Sequence, residues 1–290
     1  MPMLFPYQDK DSRIHRLDAR PKIVFVLSLF LLSILVSDIL YLSILFAIVM
    51  LVVTSAKVLR STLGLMKYTV YVALFLFAFS ILFSQGSNVI LDLGLIQVKM
   101  ESLLFAISMS LRLFLAIGAF SILTFTIHPD KLLQILSKFG FKSMTGLSIA
   151  TRMYPTIAAD SGSIEDAMKA RGVEFDDGNV IKKARARAPV MMPLLLNSMD
   201  RSMEIAEAME ARGFGAGKRT QYFDSPLSLR DKSLIVLFLA SIPFGVVMFA
   251  FGHGNTDYIA GAALSASNLD VIIATAEALF FVPILIGGSR

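Results

Sequence analysis

The chain has 290 residues, of which 56% are hydrophobic and 17% charged, and its mean hydropathy is +0.70. A soluble domain carries about 25% charged residues, so this composition excludes an ordinary water-covered globule and points to a lipid-covered protein. The net charge is +5; the lack of Cys excludes disulfides, thiol chemistry and Cys-ligated metal, and His15, His128 and His253 have no ligand-spaced partners.

Residues 1–22 are highly charged, and no small-residue cleavage site precedes the apolar stretch that follows. No secretory signal peptide is expected, and that stretch should remain as a membrane helix. A spanning helix needs about 20 mostly apolar residues, within a range of about 17–25. Six stretches approach or meet that length: 22–37, 39–56, 68–85, 103–127, 232–251 and 268–287. Only Ser37-Asp38 separates the first two, which read as a tight helical hairpin. Backbone polar groups in a bilayer must be satisfied within the protein, so helices are expected throughout the membrane part.

Lys and Arg set the orientation. Lys10, Arg13, Arg16, Arg20 and Lys22 precede the first stretch, Lys57, Arg60 and Lys67 lie between the second and third, and most others fall between 131 and 232. The Ser37-Asp38 turn and the 252–267 segment have none, and 86–102 has only Lys99. Six spans with both termini cytoplasmic satisfy every loop. The expected organisation is a cytoplasmic segment (1–22), membrane helices 1–4 (23–127), a cytoplasmic region (128–231) and membrane helices 5–6 (232–290). The fold class is thus all-α, a polytopic membrane bundle with two long cytoplasmic helices. Arg112 and Glu277 fall inside spans. An intramembrane charge is costly and often functional, but packing in the bundle or snorkelling to the interface is the reading preferred for both.

The cytoplasmic region is helical in pattern. Pro129 and the run Lys131-Leu132-Leu133-Gln134-Ile135-Leu136 predict a short amphipathic helix ending at Gly140. Longer helices are predicted over 143–170 and about 190–212. In the second, Leu195, Met199, Ser202, Ala206 and Met209 recur at spacings of three and four, while Asp200, Arg201, Glu204, Glu207 and Glu210 lie largely on other faces.

Both helices end alike: Ala167-Met168-Lys169-Ala170-Arg171-Gly172 matches Ala208-Met209-Glu210-Ala211-Arg212-Gly213. A helix C-terminus accounts for Gly after the cap and for Arg beside the negative end of the dipole. It gives no reason for the matching Ala-Met, so a repeated tip for a repeated socket is the alternative. A small Ala lets the helix end approach another surface, Gly turns the chain away, and the guanidinium can fork onto a carboxylate or carbonyls.

These residues resemble the EcfT family, the transmembrane T components of energy-coupling factor transporters (EcfT/CbiQ-like). The two Ala-Arg-Gly tips look like that family's signature. Ser12-Arg13-Ile14-His15-Arg16-Leu17-Asp18-Ala19-Arg20-Pro21-Lys22, Thr124-Phe125-Thr126 and Arg152-Met153-Tyr154-Pro155 are also similar to family segments, although Ala19 and Pro21 stand where Pro and Thr are expected. The resemblance covers about residues 10–250. It implies a non-catalytic coupling subunit of a prokaryotic cytoplasmic membrane, with no cofactor of its own. ATP and Mg would be bound by two partner ABC ATPases. The tips Ala170, Arg171, Gly172 and Ala211, Arg212, Gly213 would dock into them, and a substrate-binding membrane S component would take up a vitamin or transition-metal ion.

Other motifs carry less. Gly215-Ala216-Gly217-Lys218-Arg219-Thr220 has Arg212 and Arg219 where a phosphate-binding loop needs Gly and Ser or Thr, so ATP hydrolysis by this chain is not expected. The basic run Lys182, Lys183, Arg185 and Arg187 suits anionic headgroups or water; interspersed acidic residues argue against nucleic acid. No intramembrane acid pair, His–Glu metal pattern or nucleophile motif is present. The rival function is a self-contained secondary transporter, which predicts polar or broken spans around a midplane site. These spans are rather uniformly apolar, and the repeat lies outside them.

Overall fold

The computed structural model describes residues 10, 12–82, 89–92, 97–136, 141–175, 179–217, 227–254 and 268–286. The elements are α1 (Arg13–Arg16), α2 (Ala19–Leu35), α3 (Ile39–Ser55), α4 (Leu59–Leu82), β1 (Val89–Asp92), β2 (Gln97–Lys99), α5 (Met100–Thr126), α6 (Pro129–Leu136), α7 (Phe141–Ala170), α8 (Val180–Ala211), α9 (Leu229–Ala250), α10 (Asn268–Phe281) and α11 (Pro283–Ile286). They fall into two compact units, Met1–Leu132 with Pro226–Arg290, and Leu133–Ser225.

Short polar residues start α2 and α3. Asp18 accepts from the Arg20 amide at the start of α2, and Asp38 accepts from the Leu40 amide, 2.8 Å away, at the start of α3. That cap is why three residues, Val36 to Asp38, suffice to turn the chain between α2 and α3. Pro21 sits in the first turn of α2, where no intrahelical partner awaits its amide, so it does not break the helix.

Within the bundle α5 is central: α2, α3 and α4 all pack on it, while α9 packs on α2 and α10 on both α3 and α9. Phe25, Phe238 and Phe281, all fully buried, join α2, α9 and α10 with ring centroids 5.4, 5.6 and 5.8 Å apart. Thr62 and Ser121 hydrogen-bond at 3.0 Å between α4 and α5, a buried link of the kind lipid-embedded helices use. Glycine permits two close approaches. A Cβ on Gly118 would lie 2.9 Å from Val49 Cγ1, and one on Gly245 would overlap Leu32 Cδ2 and come within 2.8 Å of Glu277 Oε1.

Among the described residues, three helices are long and apolar enough to cross a membrane: Leu59–Ser80, Met100–Thr126 and Leu229–Ala250. Tyr68, Tyr71, Leu74 and Phe75 on α4 are exposed, as suits a lipid-facing surface. The helices α2 and α3 have 17 residues each, about 26 Å at 1.5 Å per residue, the lower limit for a span. The last apolar stretch is divided, because α10 stops at Phe281 and α11 begins at Pro283.

Several expectations need adjustment. Helix α4 begins at Leu59 rather than 68, carrying Arg60 and Lys67 within it. Helix α8 begins at Val180, ten residues before the predicted start, and runs through Pro189 and Pro193. Asn179 supplies the start, its side chain accepting from the Val180 amide at 2.9 Å. Between α4 and α5 a short antiparallel pair forms, with Val89 opposite Lys99 and Asp92 opposite Gln97. The Gly140 helix end and Lys218, Arg219 and Thr220 lie outside the described residues.

Arg112 packs inside the bundle. Its guanidinium donates to the Val36 carbonyl at 2.8 Å and to Ser37 Oγ at 3.4 Å. It can sit well inside α5 and still reach the end of α2 because α5 has 27 residues to α2's 17. Ser108 donates to the Ser37 carbonyl at 2.8 Å, and the Ser37 and Asp38 amides donate to the Gly254 carbonyl at 2.9 and 3.2 Å. The α2–α3 turn is therefore clamped from α5 and from the end of α9. Glu277 is fully buried over Gly245 rather than snorkelling, and among the described residues neither carboxyl oxygen has a hydrogen-bond partner.

Two substitutions test this packing. Gly245→Leu should destabilise the purified protein by about 1–3 kcal/mol through overpacking, read as a lower midpoint of thermal unfolding in detergent; an unchanged midpoint would contradict the contact. Arg112→Leu should cost about 1.5–3 kcal/mol, the range for hydrogen bonds from a charged donor. Hydrogen exchange should then rise at residues 36–38, and unchanged protection there would refute the clamp.

Candidate functional site

Both predicted tips lie in the second unit, at the C-termini of α7 and α8. At the first, the Gly172 amide donates to the Lys169 carbonyl at 2.9 Å and the Val173 amide to Met168 at 3.1 Å. At the second, Gly213 donates to Glu210 at 2.9 Å and Phe214 to Met209 at 3.0 Å. Gly172 and Gly213 have φ of 86° and 68°. This paired closure is the Schellman turn, which satisfies two orphan carbonyls at a helix end and places its glycine in the left-handed region.

The same closure ends two helices of the first unit. After α9, Gly252 (φ 85°) donates to Phe249 and His253 to Met248, both at 3.0 Å. After α3, Lys57 (φ 59°) donates to Thr54 at 3.0 Å and Val58 to Val53 at 3.3 Å. The α9 end reads Met248-Phe249-Ala250-Phe251-Gly252, so it shares Met, Ala and Gly with both tips at the same positions. The Met occupies the position from which this turn commonly makes an apolar contact to the residue after glycine. The Ala-Met match, without an account from the sequence, thus has a local one: it belongs to the cap. What the cap does not require is Arg171 and Arg212, since Phe251 fills the equivalent place after α9.

Both arginines are exposed, and among the described residues neither side chain has a hydrogen bond or ion pair. Arginines meant only to stabilise their own helix could have folded back onto the last carbonyls, two of which the backbone turn already pairs at each tip. Among the described residues the guanidinium groups meet no partner, and each has five donors.

Helices α7 and α8 pack together through few contacts for their length. Glu165 meets Arg187 at 3.6 Å and Asp160 meets Arg201 at 3.2 Å. The order reverses, so the helices run in opposite senses where they touch, and the two C-terminal tips leave the contact in opposite directions. The spacing is unequal, 5 residues along α7 against 14 along α8. These half-exposed ion pairs contribute about 0–1 kcal/mol each.

The unit has almost no core of its own. Phe175 and Val190 are its only buried apolar residues among those described. The amphipathic stripe predicted along α8 is left uncovered: Leu195 and Met199 are 55% and 57% exposed, and Met191, Met192, Leu196 and Met203 lie open as well. The basic run from Lys182 is part of the first turns of α8 rather than a loop before it. His253 is taken up by Asp270, with Nδ1 2.7 Å from the carboxylate.

Comparison with known proteins assigns the chain to a family. The family model CbiQ, described as cobalt transport protein, matches residues 10–222, a stretch that includes both tips and the N-terminal segment. An energy-coupling factor transporter transmembrane protein EcfT from Lactococcus lactis is 33% identical over 250 residues, covering 79% of this chain and 91% of its own. The EcfT of Streptococcus thermophilus is 33% identical over 82% of this chain and 94% of its own, and that of Bacillus subtilis 31% over 82% and 95%. Helices α2 to α8, the two capped tips and these relatives converge on one assignment: the chain belongs to the CbiQ/EcfT family, the transmembrane T components of energy-coupling factor transporters.

Proposed function

We propose that this chain is the non-catalytic coupling subunit of its transporter. Arg171 and Arg212 each enter one of two partner ATPase subunits on the cytoplasmic side, and ATP-driven motion of that pair shifts the two tips. The bundle passes the shift to a separate substrate-binding membrane subunit, which takes up a vitamin or a transition-metal ion. ATP and Mg belong to the ATPases.

One observation carries the reading: two arginines on repeated helix caps closed by backbone, both exposed and without a side-chain partner among the described residues. Their departure in opposite directions suits two sockets rather than one. The thin core of the second unit adds support, because helices with so little burial of their own gain stability from partners. The open Leu and Met stripe on α8 supplies an adaptable apolar surface for the substrate-binding subunit, since Met side chains mould to a partner.

Arg171→Glu and Arg212→Glu should each lower recovery of ATPase with the tagged chain, and the double substitution should abolish it. Losing one side of a buried charged contact costs about 2–5 kcal/mol, at least tenfold in affinity. Helical content by circular dichroism should not change, because the caps do not use these side chains. Undiminished recovery in the double variant would reject the proposal. Met199→Glu should instead deplete the third, membrane-embedded component while the ATPases remain; loss of the ATPases alone would reassign the stripe.

A further inference from the structure

Lys22 is among the most buried side chains of the described residues, 2% exposed, although its side chain ends in an amine. It lies in the first turns of α2, where a positive charge is opposed by the helix dipole. Packing alone would be met more cheaply there by Leu or Met. Its Nζ donates to the Thr126 carbonyl at 3.1 Å and to the His15 carbonyl at 3.4 Å. Thr126 is the last residue of α5, so its carbonyl is one of those without a helical partner, at the negative end of a 27-residue helix. One buried lysine therefore joins the N-terminal segment, the start of α2 and the end of α5.

The place of that joint in the chain gives it meaning. Directly after Thr126 come Ile127 and His128, then α6, whose residues from Leu133 onward already belong to the second unit. The end of α5 is one of the two covalent routes between the units. The N-terminal segment is anchored elsewhere too, since Lys10 Nζ donates to the Lys57 carbonyl at 2.9 Å in the α3–α4 turn. Ser12 Oγ and His15 Nδ1 lie 2.7 Å apart, which holds α1 in shape over this point.

We propose that Lys22 is a positioning residue for coupling: it fastens the exit of α5 to the start of α2, so displacement of the coupling helices reaches the bundle. This rests on the reading that the two arginine tips are moved by ATPases. Thr62–Ser121 and the α2–α5 packing hold the body of the bundle, whereas Lys22 acts at the end that the second unit pulls.

The test uses the whole complex, recovered through a tagged chain from native membranes and trapped with ATP and vanadate. Hydrogen exchange is followed by mass spectrometry with and without trapping. In the wild type, trapping should change exchange about twofold or more at residues 165–173 and 206–214, and also at 122–128 and 19–26. In Lys22→Met, which keeps length and removes the amine, the response at the tips and at 122–128 should persist while that at 19–26 falls below twofold. Lys22→Arg should restore it. An unaltered response at 19–26 in Lys22→Met overturns the proposal. If that variant does not assemble, the wild type still decides: a response at 122–128 without one at 19–26 refutes the joint. Absence of ATPases from the complex, or of any tip response in the wild type, sinks the underlying reading and this one with it.

Discussion

A helix leaves up to four carbonyls unpaired at its C-terminus, and a chain wrapped in lipid has little water to offer them. This protein meets that constraint in two ways. Where α2 and α5 end inside the bundle, a basic side chain from another helix supplies the donors: Arg112 reaches the Val36 carbonyl, and Lys22 the Thr126 carbonyl. Where α3, α7, α8 and α9 end, the backbone folds back on itself in the paired turn. The first solution ties helices together. The second leaves each helix end self-contained.

That difference is what gives Arg171 and Arg212 their freedom. A guanidinium engaged on its own helix terminus has fewer donors for anything else, and breaking such contacts would weaken partner binding. With the carbonyls already paired by Gly172, Val173, Gly213 and Phe214, both side chains remain available. The end of α9 serves as a comparison within the same molecule. It repeats Met, Ala and Gly but carries Phe251, so cap geometry and projected charge separate cleanly.

The two units spend their apolar residues differently. In the first, the Phe25–Phe238–Phe281 cluster and the glycine approaches at Gly118 and Gly245 give a packed interior, with lipid left to cover the outward faces. The second keeps its Leu and Met on the surface of α8 and joins α7 and α8 through weak ion pairs. A packed bundle resists deformation.

The amino-acid sequence alone determined whatever depends on neighbours along the chain. Apolar runs marked the membrane helices, Ser37-Asp38 marked the hairpin, and Ala-Arg-Gly marked where α7 and α8 stop. These are local consequences of side-chain transfer, capping and the conformational freedom of glycine. The tertiary structure decided what depends on residues far apart. Arg112 and Lys22 find carbonyls 76 and 104 positions away, and no periodicity signals such a meeting. It also showed that the Leu195–Met199 stripe is uncovered among the described residues, and that Asn179 starts α8 early enough for the helix to run through two prolines. A hydrophobic stripe reads the same in sequence whether it is buried or bare, because burial is a property of what lies opposite.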